Sequence, residues 1–210
     1  SGVVNGNVVI DVTQNLISSN ITDELYTYNS GANRIGEYVF TNAISVFGGG
    51  YGEKSTINGS TTINLKENAQ VLKVFGGGEL GAVTGSTSIN LDKNLTQPGE
   101  GYYNAFKVYG GGLQGKVGGT ASVNLQGGKF YDIFGGSCFA DITGTAKVII
   151  GSVESANSAN PLRVINNVYG ANDFGGTIIG DVGFGQLAYG DKYVKAQTMV
   201  QYNSGVIEGN

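Results

Sequence analysis

Histidine and tryptophan are absent from the 210 residues, cysteine and methionine occur once each, and proline occurs twice. Each shortage closes a route. Without histidine there is no Ser-His-Asp or Cys-His triad and no imidazole ligand for a metal. A single cysteine, Cys138, cannot build an internal disulfide framework. No run approaches the roughly 18 apolar residues of a membrane-spanning helix, so membrane insertion by this segment is not expected. Charged residues make up 13% of the chain and the formal net charge is −4. Such a chain lacks the basic footprint that holds nucleic acid or an anionic membrane surface, and neither is expected as a partner. The 16 acidic residues are scattered, with only Asp23 and Glu24 adjacent, so no facing carboxylate pair of the kind that cleaves glycosides stands out.

Glycine, by contrast, occurs 37 times, and its placement is periodic. A unit of the form small residue-x-Val/Ile-x-Gly is centred on Val4, Ile57, Val83, Val117, Ile142 and Ile178. Six residues after each centre comes another large apolar residue: Ile10, Ile63, Ile89, Val123, Val148 and Phe184. Upstream of all but the first copy lies a second unit, at Val46-Phe47-Gly48, Val74-Phe75-Gly76, Val108-Tyr109-Gly110, Ile133-Phe134-Gly135 and Val168-Tyr169-Gly170. Fixed spacings inside a unit of about 25 residues mark a solenoid, each unit being one coil. The expected fold is all-β: a single-stranded parallel β-helix of about six coils. β-Branched residues and glycine disfavour a helical solenoid.

Within a coil the alternation of apolar and polar residues assigns faces. In the third strand Ile10/Val12, Ile63/Leu65, Ile89/Leu91, Val123/Leu125 and Val148/Ile150 should point inward, with Ser88, Asn90, Ser122 and Asn124 outward. In the first strand the same rule turns Ile44/Val46, Leu72/Val74, Phe106/Val108 and Tyr131/Ile133 inward. Residues 1–210 read as one β-helix segment, excised from a longer array, since the chain starts and stops in mid-coil. Coil length varies mainly after the third strand: the next Val/Ile-Phe/Tyr-Gly follows 8 residues after Leu125 and 9 after Leu65, but 17 after Leu91, 18 after Ile150 and 34 after Val12. Insertions at one corner emerge on one side of a rod, the usual place for a binding surface.

The strings "VFGGG" and "VYGGG", followed by "VTGST" or "VGGTA" and then "INL" or "VNL", resemble the glycine-rich right-handed parallel β-helix repeats of large bacterial adhesin-like surface proteins. Their coil design is similar to that of pectin-lyase-like and autotransporter passenger domains. The resemblance implies a noncatalytic segment of a secreted or surface-anchored bacterial protein, an adhesin or its stalk, located outside the cell. A glycan or a host surface protein would then be its partner, besides the rest of the larger parent protein. The same architecture also serves carbohydrate-active lyases and hydrolases, and the rival reading is such an enzyme with a loop-borne site. The residues speak against it: only Arg34 and Arg163 could act as an arginine base, neither beside acidic groups at metal-ligand spacing, and Cys138 has no histidine partner. No cofactor or metal is expected.

Aromatic residues supply the candidate ligand contacts. Phe47, Phe75, Tyr109, Phe134 and Tyr169 recur one residue after an inward Val or Ile. They form either a structural stack folded back over a glycine corner or an exposed glycan-stacking row. Tyr26, Tyr28, Tyr38, Tyr102, Tyr103, Tyr189, Tyr193 and Tyr202 lie in the insertions, roughly Thr13–Ala43, Asp92–Ala105, Gly151–Asn166 and Leu187–Asn203, or in the irregular C-terminal part. Tyrosine offers a broad face and one hydroxyl at low entropic cost. The binding candidates are therefore Tyr102, Tyr103, Tyr26, Tyr28, Tyr109 and Tyr169, with loop anchoring as the alternative role. Asn64, Asn90 and Asn124 hold equivalent positions and should form a short amide ladder, and Cys138 aligns with Leu113 as a small core or corner residue.

Overall fold

The structure, a computed structural model, describes residues 2–17, 23–26, 37–40, 44–152, 161–180 and 197–209. No described residue is helical, and none lies in a helix long and apolar enough to cross a membrane. Two long parallel sheets and one column of short bridges organise the chain. One sheet consists of β2 (Val8–Val12), β7 (Thr61–Leu65), β9 (Thr87–Leu91), β11 (Ala121–Leu125), β13 (Ala146–Ile150) and β16 (Thr198–Tyr202). The other runs through β5 (Val46–Phe47), β8 (Val71–Phe75), β10 (Ala105–Tyr109), β12 (Lys129–Phe134), β14 (Arg163–Val164) and β17 (Val206–Ile207), with β15 (Val168–Tyr169) also on β12. The short column starts with β1 (Val4–Asn5) on β6 (Ile57–Asn58) and continues as single bridges through Val83, Val117, Ile142 and Ile178. Every parallel neighbour belongs to the adjacent repeat. The fold is all-β with stacked parallel sheets, as a β-solenoid requires.

Register sets like on like. Ile10 pairs Ile63, Ile63 pairs Ile89, Ile89 pairs Val123, and Val123 pairs Val148. The result is a core in which Ile63, Leu65, Ile89, Leu91, Val123, Leu125 and Val148 are wholly buried. Inward Thr61 and Thr87 extend these columns, and their hydroxyls donate to the carbonyls of Gly76 (2.5 Å) and Gly110 (2.6 Å). Those glycines are needed for close approach: a Cβ on Gly76 would overlap the carbonyl oxygen of Gly110 one repeat further on. Val117 and Ile142 form a separate small cluster with Ala121, Ala146 and Ile178.

Two expectations are corrected. In the first strand the core side chains are Val71/Val74, Ala105/Val108 and Phe130/Ile133, three residues apart rather than two. Leu72, Phe106 and Tyr131 are therefore outside that core, and Ile44 is 51% exposed. Over Phe106 and Tyr131, cover by Tyr103 removes the solvent contact on which the alternation rule depends. Next, the partner of Val148 is Val200, not Phe184, which lies outside the described residues. The third strand of that repeat is Thr198–Tyr202, within the stretch 187–203 read as an insertion, and residues 187–196 lie outside the described residues. The first insertion also carries its own antiparallel ribbon, β3 (Asp23–Tyr26) with β4 (Glu37–Phe40). One further irregularity had no sequence signal. Phe130 pairs Val164 and Ile133 pairs Val168, which leaves one extra residue on the partner, a β-bulge.

Candidate binding surface

The loop between β9 and β10 spans residues 92–104. It leaves the sheet at Asp92, whose Oδ1 accepts the Asn94 amide (2.7 Å), and it buries Leu95. Its return is pinned by Asn104, which is completely buried. The Asn104 Nδ2 donates to the carbonyls of Ala69 and Thr96 (both 2.9 Å), and its Oδ1 accepts from the Lys129 amide (2.8 Å). Between these anchors the chain reverses, with Tyr102 N donating to Gly99 O (3.2 Å) and Gly101 at φ +77°. A positive φ at the third position of such a turn is why glycine stands there. Lys129 Nζ donates to Gly99 O (3.3 Å) and lies 5.4 Å from the Tyr103 ring centroid.

The turn separates two tyrosines by role. Tyr103 packs edge-on against Phe106 (5.8 Å) and Tyr131 (5.6 Å), which stack on each other at 4.6 Å. Tyr102 is 52% exposed. Beneath it is a small apolar slot lined by Ile17, Val71, Leu72, Tyr102, Tyr103 and Phe106, with Gly101 at its rim. Ile17 belongs to the first insertion, and the Gln97 side-chain amide donates to Pro161 O of a third. Described parts of three insertions thus meet over the outer surface of the first-strand sheet.

The remaining candidates are placed as follows. Tyr26 pairs through its backbone with Glu37 in the β3–β4 ribbon. Tyr28, Tyr189 and Tyr193 lie outside the described residues. Tyr202 is exposed and donates its hydroxyl to Gly205 O (2.6 Å). The repeated corner aromatics form one continuous stack: Phe47 on Phe75 (4.7 Å), Phe75 on Tyr109 (4.7 Å), Tyr109 on Phe134 (4.9 Å) and Phe134 on Tyr169 (4.8 Å). Strict alternation would put these rings outside, but the glycine turn folds them back into a cluster with Cys138 and Leu113. Tyr109 is thereby corrected as a ligand contact. It is 1% exposed, with Phe75 and Phe134 on its two faces. Tyr169, after the last ring contact, is 42% exposed.

Beside this stack lies a half-buried polar group that sequence reasoning missed. The Tyr109 hydroxyl donates to Asp173 Oδ2 (2.8 Å), and Lys107 Nζ lies 3.9 Å from the same oxygen. Asp132 Oδ1 accepts from Asn166 Nδ2 (2.9 Å) and the Asn167 amide (3.1 Å). Burial pushes the Asp132 carboxyl, the Tyr109 phenol and the Cys138 thiol up from their ordinary values. A raised thiol stays protonated, so Cys138 is a poor nucleophile. The signal that could have located this group is the outward column Lys73, Lys107, Asp132, which mixes charges at one level of three successive strands.

On the third-strand sheet the equivalent asparagines do form a ladder. Asn64 Nδ2 donates to Asp11 Oδ1 (2.7 Å), Asn90 Nδ2 to Asn64 Oδ1 (2.8 Å) and Asn124 Nδ2 to Asn90 Oδ1 (2.9 Å). The donated bond from Asn64, and then that from Lys66, hold the Asp11 carboxyl below the ordinary carboxylate value. Among the described residues no three Asp, Glu or Cys side chains gather as a metal would require. No family model, curated protein or solved structure matches this chain.

Proposed function

We propose that the chain is a noncatalytic segment of a secreted or surface-anchored bacterial protein, an adhesin or its stalk. In this reading the stacked sheets form a single-stranded parallel β-helix, a rigid rod that presents the inserted loops to a glycan or a host surface protein outside the cell. The observation that carries the reading is the Tyr102 loop: an exposed ring over an apolar slot, on a turn anchored by a fully hydrogen-bonded buried asparagine. Preorganised aromatic faces of this kind bind at little entropic cost.

A glycan-array and host-protein screen with the whole chain tests the reading. For any ligand found at the loop, Tyr102→Ala should weaken binding by about 2 kcal/mol, as a hot-spot residue does, with an unchanged melting temperature. A ligand that binds Tyr102→Ala as it binds the wild type would remove this loop from the interface. The rival reading, a carbohydrate-active enzyme, requires product. Incubation with a polysaccharide panel, followed by ultraviolet and reducing-end detection, should yield none, and product that scales with protein concentration would overturn the noncatalytic assignment.

A further inference from the structure

The amide ladder borders an open groove of about 290 Å³ on the outer side of the third-strand sheet, lined by Asn64, Lys66, Asn90, Asp92, Asn124 and Gln126 together with Leu91 and Lys93. The volume is near the lower limit of small-molecule sites. The groove is on the opposite side of the Asp92–Asn104 loop base from the Tyr102 slot: its residues come from the ends of β7, β9 and β11, whereas the slot lies over β8 and β10.

The ladder is directional and stops. Each amide gives one N–H to the oxygen of the preceding repeat, and the row ends at Asp11, which also accepts from Lys66 (3.1 Å). At the other end the residue in register with Asn124 is Ile149, which cannot donate. Asn124 Oδ1 is thus an acceptor without a ladder partner, and each amide has a second N–H beyond the one used in the row. The groove therefore offers donors and acceptors repeating at the strand spacing of about 4.8 Å. Its charges are close to balanced, Lys66 being paired with Asp11, and Lys93 lying next to Asp92 in the chain.

We propose that this groove binds a neutral, extended polysaccharide, with successive sugar units lying along the amide row parallel to the direction of strand stacking. Pyranose units in an extended chain recur at close to the inter-strand distance, and sugar hydroxyls both donate and accept, which matches primary amides. Balanced charge gives an acidic polymer no advantage here. The site goes beyond the loop-borne binding proposed above and does not depend on it.

Affinity electrophoresis of the full chain through gels containing hydroxyethyl cellulose, xyloglucan, mannan or dextran, or polygalacturonate or alginate, tests this directly. At least one neutral polymer should retard the protein, equally at low and high salt. Asn124→Leu, which breaks a single ladder bond, should lower that affinity by about tenfold, the size of one lost hydrogen-bonding group. Gln126→Trp, which fills the groove and leaves the ladder intact, should do the same. Tyr102→Ala should be retarded like the wild type, which separates this site from the loop. No retardation by any neutral polymer overturns the proposal, as does retardation confined to acidic polymers and abolished by salt, or unchanged binding by both groove variants. In those cases the ladder serves stacking alone.

Discussion

The two long sheets obey different rules although they share a core. In β7, β9, β11 and β13 buried and half-exposed residues alternate strictly. In β8, β10 and β12 burial spreads across both faces, and only one or two positions per strand stay partly open. The difference comes from what lies outside. The third-strand sheet keeps a partly open outer face, mostly Ser, Thr and Asn in β7, β9 and β11, so the hydrophobic effect acts on one side of each strand. The first-strand sheet is roofed by Tyr103 and neighbouring loop residues over Phe106 and Tyr131, and its far end bends into the aromatic stack. Alternation reports burial only where one face meets water.

The largest expected effect lies where the rule is strict. Val123→Asp places an unpaired charge in a fully buried column and should cost more than about 4 kcal/mol. Its neighbour Ser122, half-exposed, donates to Thr87 O at 3.1 Å, so Ser122→Asp should cost about 1 kcal/mol. Denaturant melts of the pair check this, and equal losses would break the face assignment.

On the roofed sheet the gap between faces should close. Phe106 points away from the central core yet is 6% exposed, so Phe106→Ala should cost about 3 kcal/mol, in the range of buried aromatic truncations. A loss below about 1 kcal/mol, ordinary for a surface site, would show that the loop does not cover it in solution.

Asn104→Ala removes the side-chain partners of two carbonyls and one amide, and about 2 kcal/mol should be lost. Hydrogen exchange should then rise in residues 92–103 and remain unchanged in β11 and β13. Uniform exchange across both sheets would mean that Asn104 serves the core rather than the loop.

Asp132 gives a pH-dependent contrast. Its folded-state pKa is raised by burial above the unfolded value, so the folded chain holds its proton more tightly. Its contribution then favours folding in acid and is lost as pH rises through the folded-state value. Asp132→Asn keeps an acceptor for Asn166 and Asn167 but removes the charge. The variant should melt at or above the wild type at neutral pH, and the difference should shrink on acidification towards the ordinary carboxylate value. A variant that melts several degrees lower at neutral pH would show that the hydrogen bonds to the carboxylate and the attraction of Lys107 outweigh burial.

The smallest effect concerns Ser137, at the corner where the preceding repeat carries Gly112 and the following one Asn172. Its Oγ is buried with no hydrogen-bond partner among the described residues. Ser137→Ala should stabilise by about 1 kcal/mol, the cost of an unmet hydroxyl. Thermal melts that fall instead would point to a partner for that hydroxyl.

Local chemistry along the chain was enough to determine the repeat, the parallel register, the inward Val, Ile and Leu of the third strands, the corner glycines and the asparagine row. Each recurs at one spacing, and stacking identical positions is the only way that short apolar strands can bury their side chains. The periodicity could not show what covers the outside of a strand. That Tyr109 is sealed between two rings while Tyr102 stands open, that Phe106 is roofed, that Lys107, Asp132 and Asp173 gather beside the aromatic stack, and that Val200 is the partner of Val148 were decided by the tertiary structure. Insertions have no period, and their packing depends on contacts between residues 30 or more positions apart, such as Gln97 with Pro161. Only the folded chain brings those residues together.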